Sequence, residues 1–407
     1  MSKKKTLHVP DAPFRPGEKP DFSNLELPKA GDAKKPKIMV EPSEIRDLAF
    51  SLVRVLDDKH EAVGPWDPKL DASVLKKGLR HMSLLRIFDD RMLTMQRQGK
   101  LSFYMKSLGE EAVAIAQGMA LRSDDILFPS YRQPGLQFVR GRDIVDMICH
   151  CITNVKDNVK GRQMPVHYSW KEGNFVSISS PVGTQFPQAV GCAMASAYKG
   201  EDNVSISWVG DGTAAEGDFH YALNFASVYK APVLLNVVNN QWAISTHKNI
   251  SSGGATFAAR GFAYDVPSIR VDGNDFLALY SVTSWAAERA RKGGGPTFIE
   301  VFTYRGEAHS TSDDPTRYRP KDEWKSWPLG DPIERLKAHL IGLETWSEKE
   351  QNKLEKELDA LVIKSYKEAE KHGTLSEGPW APEDTLFEDV YKKPPRHLRK
   401  QRQEFGF

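Results

Sequence analysis

The chain of 407 residues predicts an α/β fold: a doubly wound, mostly parallel sheet flanked by helices, with helical extensions at both ends. Three observations carry this expectation. Five short apolar segments (125–129, 204–209, 233–238, 267–271 and 297–303) have strand character, and the stretches between them repeat their apolar residues at helical spacing. The second segment closes on Gly210-Asp211-Gly212, a turn suited to the passage from strand to helix. Hydrophobic residues make up 40% of the chain, enough for a sizeable core, yet no apolar run is long enough to span a bilayer.

In order along the chain, residues 1–42 carry seven prolines and the basic run Lys3-Lys4-Lys5, which predicts an extended, Pro-rich arm able to lie across a partner. Residues 43–100 read as N-terminal helices. Ile45, Leu48, Ala49, Leu52 and Val53 form one stripe from Pro42, and Leu75, Leu79, Met82, Leu85, Phe88 and Leu93 form another between Ala72 and Gln98. Residues 101–330 contain the five strands. A small-residue helix is expected over 110–120, a Gly/Ala-rich helix over 181–198, a third over 213–229, and a fourth after the turn Asp272-Gly273-Asn274-Asp275. Residues 331–407 form a C-terminal helical region and tail, where Ser347 and Glu350 make a capping box for a helix ending at Gly373.

Charge and cysteine content narrow the function. Fifty-six basic against fifty-four acidic side chains leave a net charge of +2, which gives no reason to expect nucleic acid as a partner. Cys149, Cys151 and Cys192 form no metal-spaced cluster and suit a reducing compartment. The arm has neither a secretory apolar stretch nor the basic amphipathic spacing of a transit peptide, so a cytoplasmic location is expected.

The chemistry gathers where parallel strands end. A crossover from 204–209 through a helix to 233–238 sets Asp211 beside Asn240 of Asn239-Asn240, at the sheet edge where α/β folds bind ligands. One carboxylate and one amide oxygen leave room on a hard divalent cation for diphosphate oxygens. The flanking glycines allow close backbone approach. Tyr131-Arg132 follows the first strand, and an arginine there can clamp a phosphate bidentately, although such an arginine alone more often serves a surface ion pair. His309, in the charged loop 303–315 after the last strand, offers an acid or base near neutral pH if that strand ends at the same edge.

The Gly-Asp-Gly and Asn-Asn pair resembles the thiamine diphosphate motif. With Ser102-Phe103-Tyr104-Met105, Gly109-Glu110-Glu111, the segment from Gly161 to Tyr168, Ser179-Ser180-Pro181 and the segment from His309 to Asp314, residues 40–390 resemble the alpha subunits of branched-chain 2-oxo acid dehydrogenases. The resemblance implies Mg2+ held by Asp211, Asn240 and the carbonyl of Trp242. It implies thiamine diphosphate lined by Tyr131, Arg132, Ser180, Val182, Gly212, Thr213, Asn240 and His309, with His309 acting at the reaction centre. It also implies a K+ near Ser179, Pro181, Thr184 and Gln185. Phe103, Tyr104 and Met105 would offer a branched tail an apolar surface, unless they are plain core.

The implied reaction is decarboxylation of a branched-chain 2-oxo acid such as 3-methyl-2-oxobutanoate, with acyl transfer to the lipoyl group of a transacylase component. The implied assembly is an α2β2 heterotetramer whose beta subunit completes the site. Two departures stand out. Val238 occupies a place where some relatives carry a phosphate-binding arginine, and Gln133 follows the Tyr-Arg pair where pyruvate-specific relatives place a nearby histidine. A pyruvate dehydrogenase alpha subunit, a thiamine-dependent carbon-carbon lyase or transketolase half-subunit, and a nonenzymatic nucleotide-binding module remain as alternatives.

Overall fold

The computed structural model describes residues 7–407, so the run Lys3-Lys4-Lys5 lies outside the described residues. Its strands are β1 (Ile126–Phe128), β2 (Ser205–Gly210), β3 (Val233–Asn239), β4 (Trp242–Ala243), β5 (Thr246–His247), β6 (Ser268–Asp272) and β7 (Thr297–Phe302). Five form one sheet in the order β1-β2-β3-β7-β6, every pair parallel, while β4 and β5 make a small antiparallel hairpin. The helices are α1 (Ala72–Arg97), α2 (Glu111–Met119), α3 (Gly135–Arg140), α4 (Ile144–Ile152), α5 (Gln185–Lys199) and α6 (Gly217–Val228). After them come α7 (Lys248–Ser251), α8 (Phe276–Arg289), α9 (Pro332–Gly342), α10 (Glu348–Glu370) and α11 (Arg396–Glu404).

Strand alternation builds a core on each face of the sheet. Leu234 and Val238 of β3 join α1, α2, α4 and α8 on one side, whereas Val233, Leu235 and Val237 meet α5 and α6 on the other. Asn236 points into the first core without an unpaired amide: its Oδ1 accepts from Gln117 Nε2 at 2.8 Å, and Trp208 Nε1 donates to Gln117 Oε1 at 2.6 Å. Asp275 caps α8 by accepting from Ala278 N. Ser347 caps α10, and Glu350 Oε2 accepts from the Ser347 hydroxyl at 2.7 Å instead of reaching the backbone.

Several sequence expectations need correction. The stripe from Pro42 folds as 3-10 turns over Pro42–Ala49, kinked at Ile45, and not as an α-helix. The helix expected over 213–229 is broken: Gly212–Ala215 is a 3-10 turn, Glu216 is extended and caps α6, which begins at Gly217. The helix expected from Pro181 begins at Gln185, so residues 179–184 form a turn. Helices α3, α4 and α7 were not anticipated, and α9 and α11 were covered only by the expectation of a helical C-terminal region. The arm packs on its own chain: Phe22 stacks edge-on against Tyr304 and Trp327, and Trp285 Nε1 donates to the Pro36 carbonyl.

Candidate active site

Parallel registry sets the site. Gly210 pairs with Val238 and Asn239 with Phe302, so the chain leaves β2, β3 and β7 at one sheet edge carrying Asp211, Asn240 and the loop to His309. A cavity of about 440 Å³ opens there. It gathers Asp211, Gly212, Thr213, Asn240, Trp242 and His309 with Tyr131, Arg132, Ser180, Val182, Phe103 and Met105.

At its floor, Asp211 Oδ1 accepts from Gly212 N at 2.8 Å, while buried Oδ2 has no hydrogen-bond partner among the described residues. Burial pushes this carboxyl up to about 7, against partial relief from the Gly212 amide and Arg305. A buried, unpartnered carboxylate oxygen fits a cation ligand. Asn240 is oriented for the same task, because its Nδ2 donates to Glu110 Oε1 at 2.7 Å and turns the amide oxygen the other way. Gln241 follows with φ +75, and this left-handed bend is fixed by its Nε2 donating to Asn239 Oδ1 at 2.9 Å. The Trp242 carbonyl accepts from Arg305 Nη1 at 3.0 Å and keeps its second lone pair.

Glycines shape the Asp211 end of the cavity. A Cβ on Gly212 would lie 2.5 Å from Ala243 Cβ, whereas one on Gly210 would meet nothing within 4 Å and would project into the free space beside the cavity. Both observations fit a ligand held close to backbone. Arg132 differs from the sequence expectation of a bidentate phosphate clamp. Its Nη1 donates to the Lys106 carbonyl, and Nη2 donates to the His309 carbonyl at 2.7 Å and lies 3.2 Å from His309 Nδ1. Val238 is buried in the sheet and brings no charge to the site.

The same contact defines the histidine. Arginine can only donate, so Nδ1 of His309 accepts and the ring proton sits on Nε2. Burial, Arg132 and Arg305 push His309 down to about 3, which leaves the ring neutral at physiological pH with Nε2 as a hydrogen-bond donor. Tyr131 stands edge-on to its ring at 5.7 Å.

Tyr104 requires a further correction. Its side chain points away from the cavity and is fully buried, and its hydroxyl donates to Asp89 Oδ1 at 2.7 Å. Met164, His167, Ala243 and Ile244 line the cavity and were not assigned a role from sequence. The signal for Met164 and His167 was their place in the segment 161–168; Ala243 and Ile244 had none. His167 Nε2 lies 3.2 Å from Ser180 Oγ. Ser179, Pro181 and Thr184 stand in the turn before α5, and Gln185 is its first residue. Both hydroxyls donate to the Pro181 carbonyl, at 3.2 and 3.4 Å, and buried Gln185 Oε1 has no partner among the described residues. An all-oxygen set with one orphaned acceptor fits a cation.

A family model described as "Dehydrogenase E1 component" matches residues 79–377. The chain belongs to this family. A second model, "2-oxoisovalerate dehydrogenase E1 alpha subunit N terminal", matches residues 3–43. The chain is 57% identical over 401 residues to "2-oxoisovalerate dehydrogenase subunit alpha" of Pseudomonas aeruginosa, covering 98% of each chain. It is 38% identical over 369 residues to the mitochondrial protein of that name from Homo sapiens, covering 90% of this chain and 81% of the relative. The Caenorhabditis elegans counterpart is 41% identical over 340 residues, covering 83% and 77%. The E1 family is thiamine diphosphate-dependent.

Proposed function

We propose that this chain is the alpha subunit of a branched-chain 2-oxo acid dehydrogenase, which decarboxylates 3-methyl-2-oxobutanoate and its homologues and passes the acyl group to the lipoyl group of a transacylase component. The carrying observation is the convergence of Asp211, with its unpartnered Oδ2, and the oriented amide of Asn240 at adjacent parallel strand ends.

Asp211 Oδ2, Asn240 Oδ1 and the Trp242 carbonyl would hold Mg2+, and Gly212 and Thr213 would meet the diphosphate beside Tyr131, Ser180 and Val182. Ser179, Pro181, Thr184 and Gln185 would hold K+. Bound thiamine diphosphate supplies the electron sink for decarboxylation. His309 holds its proton at Nε2 and presents it as a hydrogen-bond donor where negative charge develops. Arg132 orients that ring through Nδ1 and the His309 carbonyl. Phe103, Met105 and Met164 give the acyl tail an apolar wall and exclude water.

Gln133 is buried, its Oε1 accepts from Ser130 N at 3.0 Å, and it does not line the cavity. One sheet of five strands is present among the described residues, which leaves the pyrimidine half of a thiamine site to a beta subunit. Exposed Tyr198 on α5 and Tyr221 and Phe225 on α6 supply apolar surface for an α2β2 assembly. Cys149, Cys151 and Cys192 are unpaired, in keeping with the cytoplasm.

The test compares kcat/KM of the assembled enzyme for 3-methyl-2-oxobutanoate and pyruvate. Two extra methyl groups should favour the branched acid by at least about 10-fold. Preference for pyruvate would move the enzyme to the pyruvate class. Turnover without acyl transfer to lipoyl would make it a lyase.

A further inference from the structure

The irregular segment from Leu101 to Glu110 runs between α1 and the loop that carries His309, and it grips both. On the loop side the Tyr104 backbone makes a reciprocal pair with Thr311: Tyr104 N donates to Thr311 Oγ1 at 3.0 Å, and Thr311 N donates to the Tyr104 carbonyl at 3.0 Å. The Lys106 carbonyl accepts from Arg132 Nη1, and the Ser107 hydroxyl donates to the Arg132 carbonyl at 3.3 Å. On the helix side Lys106 pairs with half-exposed Asp90 of α1 at 2.7 Å, and the buried anchor is the residue before it. Asp89 of α1 is buried and its two oxygens divide the work: Oδ1 accepts from the Tyr104 hydroxyl at 2.7 Å and Oδ2 from Ser107 N at 2.6 Å.

A carboxylate buried in a helix otherwise lined with Leu85, Phe88 and Met92 is costly, and an apolar residue would pack the core better. Asp89 forms no ion pair among the described residues that would explain it. What it does is fix two points three residues apart on the segment that hydrogen-bonds Arg132 and Thr311.

We propose that Asp89 is a positioning residue for the reaction: by fixing Tyr104 and Ser107 it sets where the loop 307–313 and the guanidinium of Arg132 stand, and so where His309 presents Nε2. This rests on the role proposed above for His309. Asp89 itself touches neither the cavity nor any group in it.

The experiment measures hydrogen exchange and steady-state kinetics on the assembled alpha–beta enzyme carrying Asp89→Asn or Tyr104→Phe. An asparagine can accept from only one of the two donors and turns its Nδ2 toward the other. Exchange across 307–313 should rise about 10-fold or more, the scale of one lost hydrogen bond to a charged group, while amides of β2 and β3 keep parental protection. The kcat should fall about 10-fold with little change in KM, as displacement of a positioned group predicts. Parental exchange across 307–313 would overturn the proposal, as would parental kcat despite faster exchange. Tyr104→Phe keeps the carboxylate and the Ser107 bond, so it decides the matter if Asp89→Asn does not assemble. His309→Ala run alongside separates the two readings: unchanged turnover there removes His309 from the chemistry, whereas the exchange result for Asp89→Asn still reports on the anchor.

Discussion

Replacing Asp211 with asparagine should stabilise the cofactor-free protein while abolishing its response to magnesium and cofactor. The carboxyl stands at 3.8 in an unfolded chain and at about 7 in the fold, because burial outweighs the Gly212 hydrogen bond. Between these values the folded state holds a proton that the unfolded state has released, so the contribution of this one group falls as pH rises and is lost above about 7. At about 1.36 kcal/mol per pH unit, the ionised carboxylate costs the cofactor-free fold up to ~4 kcal/mol at pH 8. The asparagine variant escapes that cost, which corresponds to a Tm higher by something on the order of 5 °C. By pH 5 the advantage shrinks below ~2 kcal/mol. The assay is thermal unfolding of the assembled enzyme at both pH values, with and without Mg2+ and thiamine diphosphate. The parent should gain Tm from the ligands, less so below pH 7 where protons compete with the metal, and the variant should gain none. If the variant melts at or below the parent at pH 8, or responds to the ligands as the parent does, Asp211 is not an uncompensated metal ligand.

Other outcomes follow from the same geometry. His309→Ala should leave cofactor binding close to parental by calorimetry and lower acyl transfer to lipoyl about 100-fold, the lower range for a positioned proton donor. Because burial, with Arg132 and Arg305, holds His309 near 3, its titration should add no inflection to the free enzyme's kcat/KM profile between pH 6 and 8. Gly212→Ala forces a Cβ to within 2.5 Å of Ala243 Cβ, so the turn must shift; cofactor affinity should fall about 10-fold by titration, with strand protection kept. Met164→Ala removes part of the apolar wall and should shift substrate preference toward longer tails, read as the ratio of kcat/KM for two branched acids of different length.

The cofactor end of the site was legible in the sequence because local rules determine it. A parallel crossover must bring Asp211 and Asn240 together, and the last strand, being parallel, must deliver the His309 loop to the same edge. Contacts between remote segments were not legible. Neither the Arg132 contact that assigns the His309 tautomer nor the burial that displaces its titration follows from loop composition. Tyr104 was misplaced for a simpler reason: Phe103 and Met105 face the cavity, so an extended segment turns the residue between them the opposite way, toward Asp89. The start of α9 was readable in Asp331-Pro332, an N-cap followed by proline at the first helical position. The break at Glu216 was not, since Thr213-Ala214-Ala215 has no helix breaker and tertiary packing decides its turn.

The central claim is that this chain holds the metal and diphosphate half of a split thiamine site. Its most direct test is decarboxylation of 3-methyl-2-oxobutanoate by the purified chain with Mg2+ and thiamine diphosphate, before and after addition of the beta subunit. The account predicts no turnover by the chain alone and full activity on reconstitution; robust turnover by the chain alone would contradict it.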